Sequence, residues 1–137
     1  MERVTADSNV LISALRFGGK PLDLLALAVD GEIELAISDA ILHETLRVLR
    51  DKFHTTTERL EEIERFLSAV TIHVYPTERI DAVTADRDDN GVLECAVKSG
   101  SRVIVSGDQD LLRLGTFKDI DILRVADFLS RFENSRQ

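Results

Sequence analysis

Carboxylates stand at four places in this 137-residue chain where the flanking pattern gives each a direction. Asp7 closes the short run Val4-Thr5-Ala6 and is followed by the apolar helix start Val10-Leu11-Ile12. Asp108 ends Val103-Ile104-Val105-Ser106-Gly107 in the same way, with Asp110 just beyond it. Either could serve only as a helix N-cap, because Asp is favoured there and complements the positive end of a helix. Glu44 has Ala40, Ile41 and Val48 one helical turn away and Arg47 as its one charged neighbour. Burying such a carboxylate without a partner is costly and raises its pKa, so a cation or strong donors belong beside it. The plain alternatives are a pair with Arg47 or projection into water. In Asp86-Arg87-Asp88-Asp89-Asn90-Gly91 three acids crowd one helix start. One Asp suffices as a cap, and adjacent like charges repel unless solvated or neutralised. Alone, the run reads as an exposed acidic loop. Taken together, the four places are most economically explained by a shared cation. Carboxylates and water suit the hard, octahedral preference of Mg²⁺ or Mn²⁺, whereas zinc recruits His or Cys. His43, His54 and His73 show no ligand spacing, and His43 reads as a surface residue. Cys95, inside the apolar run Leu93 to Val97, reads as core rather than nucleophile.

The elements that position these acids alternate. Strand-like runs fall at Val4-Thr5-Ala6, Ile33 to Ile37, Val70 to Tyr75, Val103 to Val105 and Ile120 to Val125. Between them the clearest helix runs from Asp39 to Phe53 behind a Ser38 cap, with Leu42, Leu46, Leu49 and Phe53 on one stripe. A second follows with Thr55 and Glu58 as a capping box and Leu60, Ile63, Phe66, Leu67 and Val70 as its apolar face. Further helices are predicted over Val10–Leu15, Pro21–Val29, Asp89–Lys98, Asp110–Leu114 and Ala126–Phe132, with Gly31 and Gly100 as stops. Such alternation predicts an α/β sandwich around a mainly parallel sheet, in which ligand chemistry gathers beyond the carboxyl ends of the strands.

Composition narrows the function classes. A 44% hydrophobic content in 137 residues supports one core without disulfide or metal staples, so a single domain over 1–137 is expected. The net charge of −8 builds in no general attraction to nucleic acid or anionic membrane, so a nucleic-acid partner requires cationic help. One cysteine excludes an intrachain disulfide framework and fits a reducing cytoplasm. The longest apolar run, Leu24 to Val29, is far short of the roughly 18 residues of a membrane span. The first residues lack the basic start and apolar stretch of a signal peptide, so export is not expected. With one Tyr and no Trp, stacking material for unpaired bases is scarce.

The ordered acids resemble those of PIN-domain nucleases. Asp7-Ser8-Asn9-Val10-Leu11-Ile12 resembles the family's D-[TS]-N-[VIL]-[LI] opening. Ile41 to Leu46 looks like the second acidic motif, Asp86 to Asn90 with Leu93 to Ala96 like the third, and Val105 to Leu112 like the fourth. Order and spacing match from about Arg3 to Phe128. The resemblance implies a PIN-like three-layer α/β/α sandwich and an endoribonuclease dependent on Mg²⁺ or Mn²⁺. Asp7, Glu44, Asp89 and Asp108 take the family's catalytic and metal-binding positions, with Asp110 as an auxiliary ligand and Asn9 and Ser106 orienting the acids. It further implies a cytoplasmic, VapC-like toxin of a toxin–antitoxin pair, held by a small antitoxin and homodimeric. Asp88 stands as an alternative to Asp89, and Arg87 occupies a place where many relatives have Pro. The helical hairpin from Asp39 to Val70 matches the family's antitoxin-facing or dimer-facing region in position alone. Arg16, Lys20, Arg87 and Arg113, near the predicted active edge, are candidates for phosphate contacts.

Two other classes compete. Aspartate-based phosphatases and phosphoacceptor domains also place acids at strand ends, but the phosphatases want D-x-D on the first strand, where this chain has Asn9 in the second place. A non-catalytic PIN-like module binding RNA or a partner usually lacks the acids, and all four positions are acidic here.

Overall fold

The computed structural model describes residues 1–83 and 87–136; Asp86 of the acidic run lies outside the described residues. β1 (Arg3–Ala6) pairs in parallel with β2 (Glu34–Ser38) on one side and β4 (Val103–Val105) on the other. β3 (Ile72–Val74) adds in parallel to β2, and β6 (Ile120–Leu123) to β4. With the short antiparallel β5 (Thr116–Phe117) the sheet order is β3-β2-β1-β4-β6-β5. Leu35, Ala36 and Ile37 are all fully buried in β2, as are Val103, Ile104 and Val105 in β4. Side chains of both parities are therefore covered, which explains why these strands read as continuous apolar runs rather than alternating ones.

The connections are helical. α1 (Ser8–Arg16) and α2 (Gly19–Val29) lead from β1 to β2, and α3 (Asp39–Asp51) and α4 (Thr57–Val70) lead from β2 to β3. α5 (Arg87–Ser99) precedes β4, α6 (Gln109–Leu114) follows it, and α7 (Val125–Ser135) follows β6. α5 crosses β1, β2 and β4 on the face that carries Thr5, whose hydroxyl donates to Cys95 Sγ of α5 at 4.0 Å. α2 packs on β2 and against α7, where Phe128 is fully buried. The α/β sandwich around a mainly parallel sheet is thus as the alternation predicts. Among the described residues no helix is long and apolar enough to cross a membrane.

The differences from the sequence pattern are local. α1 and α5 each begin two residues earlier than predicted, at Ser8 and Arg87, and α3 ends at Asp51, short of Phe53. β5 escapes the pattern because it has two residues and turns into β6 through Lys118 and Asp119, at φ 49° and 67°. Two-residue hairpins of that handedness normally announce themselves with Asn-Gly or Asp-Gly, and this one does not. The cap of α4 is Thr56, whose Oγ1 accepts from Arg59 N at 3.2 Å, rather than Thr55. Three consecutive threonines make the register ambiguous, and Glu58 favours the wrong one. Thr56→Ala is expected to cost about 1 kcal/mol and Thr55→Ala under about 0.5 kcal/mol, read as urea midpoints. Equal losses would return the cap to Thr55.

Candidate active site

Parallel pairing sets the carboxyl ends of β1, β2 and β4 level, with Ala6 opposite Val105. The next residues, Asp7 and Ser106, therefore emerge side by side, and the Asp7 amide donates to Val105 O at 3.2 Å. Ser106 is fully buried and donates its hydroxyl proton to Asp7 Oδ2. The same Ser106 oxygen accepts from Asp108 N at 2.9 Å, so one hydroxyl ties the two strand-end acids together. Both acids are also caps: Asp7 Oδ1 accepts from Val10 N at 2.9 Å, and Asp108 Oδ1 from Asp110 N at 2.8 Å and Leu111 N at 3.1 Å. Capping and cleft lining are carried by the same side chains.

Glu44 comes from the second turn of α3, whose start is fixed by Ser38 Oγ accepting from Ile41 N at 3.4 Å. Asp88 and Asp89 come from the first turn of α5, Asp88 exposed and Asp89 6% exposed. Asn90 anchors that turn: its Oδ1 accepts from Val83 N at 2.8 Å and its Nδ2 donates to Val83 O at 2.7 Å. A cavity of about 140 Å³ opens between these elements, lined by Asp7, Ser8, Asn9, Glu44, Arg87, Asp88, Asp89, Glu94 and Asp108 among others. Carboxylate oxygens of Asp89, Asp108 and Asp110 lie within 4.8 Å of one another.

Crowding acids into a half-dry cleft shifts their protonation. Burial pushes the Asp7 carboxyl above its ordinary value, with the Asp108 charge adding to the rise; the Ser106 hydroxyl and the Val10 and Gly107 amides oppose it. Burial also raises Glu44, followed by the charge of Asp88 and a carboxyl–carboxyl hydrogen bond to it. The Ser8 hydroxyl and, least, Arg47 pull Glu44 back down. The charge of Asp88 thus bears on the half-buried Glu44 more than that of Arg47 does. It shares its environment with another acid, and two neighbouring carboxylates repel unless a proton or a cation comes between them.

The remaining sequence candidates fall in different places. Asp110 is bridged by Arg113 at 2.8 Å, outside the cavity lining. Asn9 is exposed at the cleft wall. Arg87 lines the cleft but is held by Glu94 at 3.1 Å and by Ile80 O at 3.4 Å. Arg16 lies over the Phe53 ring at 4.8 Å, and neither Arg16 nor Lys20 lines the cavity. Ser8, 6% exposed, in the cavity lining and lowering Glu44 through its hydroxyl, and Asn90 escaped the sequence reading. Ser8 had a signal in its place beside Asp7, whereas Asn90 is legible only once α5 and Val83 meet. Neither His nor Cys lines the cavity. Cys95 is buried, its thiol pushed up to about 11 by burial, and stays a thiol at neutral pH. An all-oxygen donor set dominated by carboxylates fits a hard divalent cation and not zinc.

No curated protein matches the chain. Among solved structures it is similar to VapBC2 from Rickettsia felis, bound to a DNA fragment from their promoter, with a TM-score of 0.62 at 10% identity, covering 88% of this chain and 96% of that one. It is also similar to VapBC-1 from nontypeable Haemophilus influenzae, with a TM-score of 0.64 at 14% identity, covering 90% and 98%. At these identities the likeness is one of fold. Residues 3–110, from β1 to the first turn of α6, match the PIN domain. With the strand-end acids, the cleft lining and strands β1 to β4 all inside that stretch, the chain belongs to the PIN domain family.

Proposed function

We propose that the chain is a metal-dependent endoribonuclease that hydrolyses RNA phosphodiester bonds in the acidic cleft and acts as the toxin of a toxin–antitoxin pair. The observation that carries this reading is the convergence of Asp7, Glu44, Asp88, Asp89 and Asp108 on one cavity at the carboxyl edge of a PIN fold. Asp7, Glu44, Asp89 and Asp108 are the residues to hold Mg²⁺ or Mn²⁺, with Asp110 beside them and Asp88 on the Glu44 side. When bound, such an ion supplies a polarised water and neutralises charge on the leaving oxygen.

The chain's own residues do the positioning. Ser106 and the Val10 amide fix the Asp7 carboxylate against rotation, and the α6 amides fix Asp108. Because the charge of Asp108 bears on Asp7 and that of Asp88 on Glu44, proton transfer belongs to the group rather than to one carboxylate acting as base. A bound cation also reconciles a net charge of −8 with a polyanionic substrate. Arg87 is the cation within the cleft, and breaking its bond to Glu94 would turn it toward a phosphate. The antitoxin rests on the two similar structures, both described as VapBC. A homodimer and a cytoplasmic setting accompany that reading.

The test is cleavage of a panel of single-stranded and structured RNAs in Mg²⁺, Mn²⁺ or EDTA. Cutting that appears with the metals and stops in EDTA is the expected result. A panel left intact by protein that binds the metal would leave a PIN-fold binding module without nuclease activity.

A further inference from the structure

The one tyrosine of the chain stands where a nuclease would use it. Tyr75 directly follows β3, the edge strand of the sheet, and is 66% exposed. Register sets Val74 opposite Ser38, so Tyr75 emerges at the same carboxyl edge as Asp7 and Asp108. At the usual strand spacing, the end of β3 lies about 10 Å from the end of β1. A stacked single strand covers that distance in roughly three nucleotide steps.

The ring is exposed but held. His73, two residues earlier and therefore on the same side of the strand, stacks against it with centroids 5.0 Å apart and planes at 31°. His73 Nε2 in turn donates to Asp39 Oδ1 at 2.6 Å, at the first residue of α3. The next residues of that helix, Ala40 and Ile41, line the acidic cleft. Contacts through His73 and Asp39 thus tie an exposed aromatic ring, on the first residue after β3, to the helix whose next residues line the cavity. No core packing accounts for it, since the ring buries little beyond its contact with His73.

We infer that Tyr75, braced by His73, is a stacking subsite for an unpaired nucleobase of the RNA strand whose phosphate enters the acidic cleft. The inference rests on the ribonuclease reading and adds to it a second contact for the bound strand, taken with little base preference because every base offers a π face. Duplex RNA, with both faces of each base covered, gains nothing from the subsite.

Because the chain has no Trp, Tyr75 is its own fluorescent reporter. Titration of its emission with a single-stranded RNA oligonucleotide in Mg²⁺ is expected to show saturable quenching, absent with a duplex of the same sequence. In cleavage kinetics, Tyr75→Ala is expected to raise KM roughly 5- to 100-fold with kcat within about threefold, while Tyr75→Phe stays near wild type. Emission that is unchanged while wild type cuts the oligonucleotide, or an unchanged KM in Tyr75→Ala, would overturn the subsite and leave the nuclease standing. Wild type that neither binds nor cuts any RNA would overturn both. A change in emission on concentrating the protein without RNA would assign the ring to a self-association contact and overturn the subsite.

Discussion

Asp7→Asn is expected to lower RNA cleavage by roughly 10²- to 10³-fold or more, the scale seen when a preorganised electrostatic group is removed from an active site. The fold should survive. Asparagine keeps an oxygen to accept from Val10 N, so the α1 cap remains, and its volume is that of the aspartate. Stability should move the other way from activity. Because burial raises the folded-state pKa of Asp7, the native carboxyl holds its proton more tightly than the unfolded one. Its contribution to stability is then full below the unfolded pKa of about 3.9 and is lost as pH rises through the raised folded value. At neutral pH the ionised, buried carboxylate is a cost that Asn does not carry. Urea midpoints in EDTA should therefore fall between pH 5 and pH 8 for wild type, and fall less for Asp7→Asn. A variant that loses activity because it unfolds would show the opposite, a lower midpoint at every pH.

Adding the cation should reverse that cost. At a free Mn²⁺ concentration 100 times its dissociation constant, binding only to the folded chain stabilises it by about 2.7 kcal/mol. For a domain of this size that corresponds to a rise in Tm of roughly 8 °C. The rise should be largest near pH 8 and shrink toward pH 5, because the protons that the raised Glu44 and Asp7 carboxyls hold must leave before the ion enters. Thermal melts across pH with Mn²⁺ or EDTA give the comparison, with Ca²⁺ as a larger ion that also accepts oxygen ligands. A Tm that is independent of Mn²⁺ at pH 8 would remove the cation from the cleft.

Much of this arrangement is legible in the sequence, and the reasons it stops are physical. The strand-end position of Asp7 and Asp108 follows from the apolar runs before them and the helix starts after them, because chain direction alone fixes it. Their double duty as caps and cleft walls does not, since the capping pattern is the same with or without a ligand. For Glu44, the apolar helix patch signals that the carboxylate needs a partner, but the partner comes from α5, more than 40 residues away. Local spacing offered only Arg47. Arg16, at the end of α1, and Lys20, in the first turn of α2, lie outside the cavity lining, because nearness in sequence to the first motif says nothing about which side of a helix faces the cleft. Tyr75 closes the run from Val70 that reads as a strand, of which Ile72–Val74 form β3, yet its exposure depends on β3 being the edge of the sheet. Strand order is a tertiary property that alternation does not encode.

The most direct test of whether the acids of the carboxyl edge share a divalent cation is calorimetric titration of Mn²⁺ into wild type and Asp89→Asn at pH 7.5. Asp89 and Asp108 both line the cavity and lie within 4.8 Å of each other and of Asp110, and Asp89 is the one to substitute because Asp108 also caps α6. Saturable binding to wild type, weakened about tenfold or more in a folded Asp89→Asn, is the expected result. Wild type that takes up no Mn²⁺, or binds it with an affinity the substitution leaves unchanged, would contradict the shared cation and with it the proposed nuclease site.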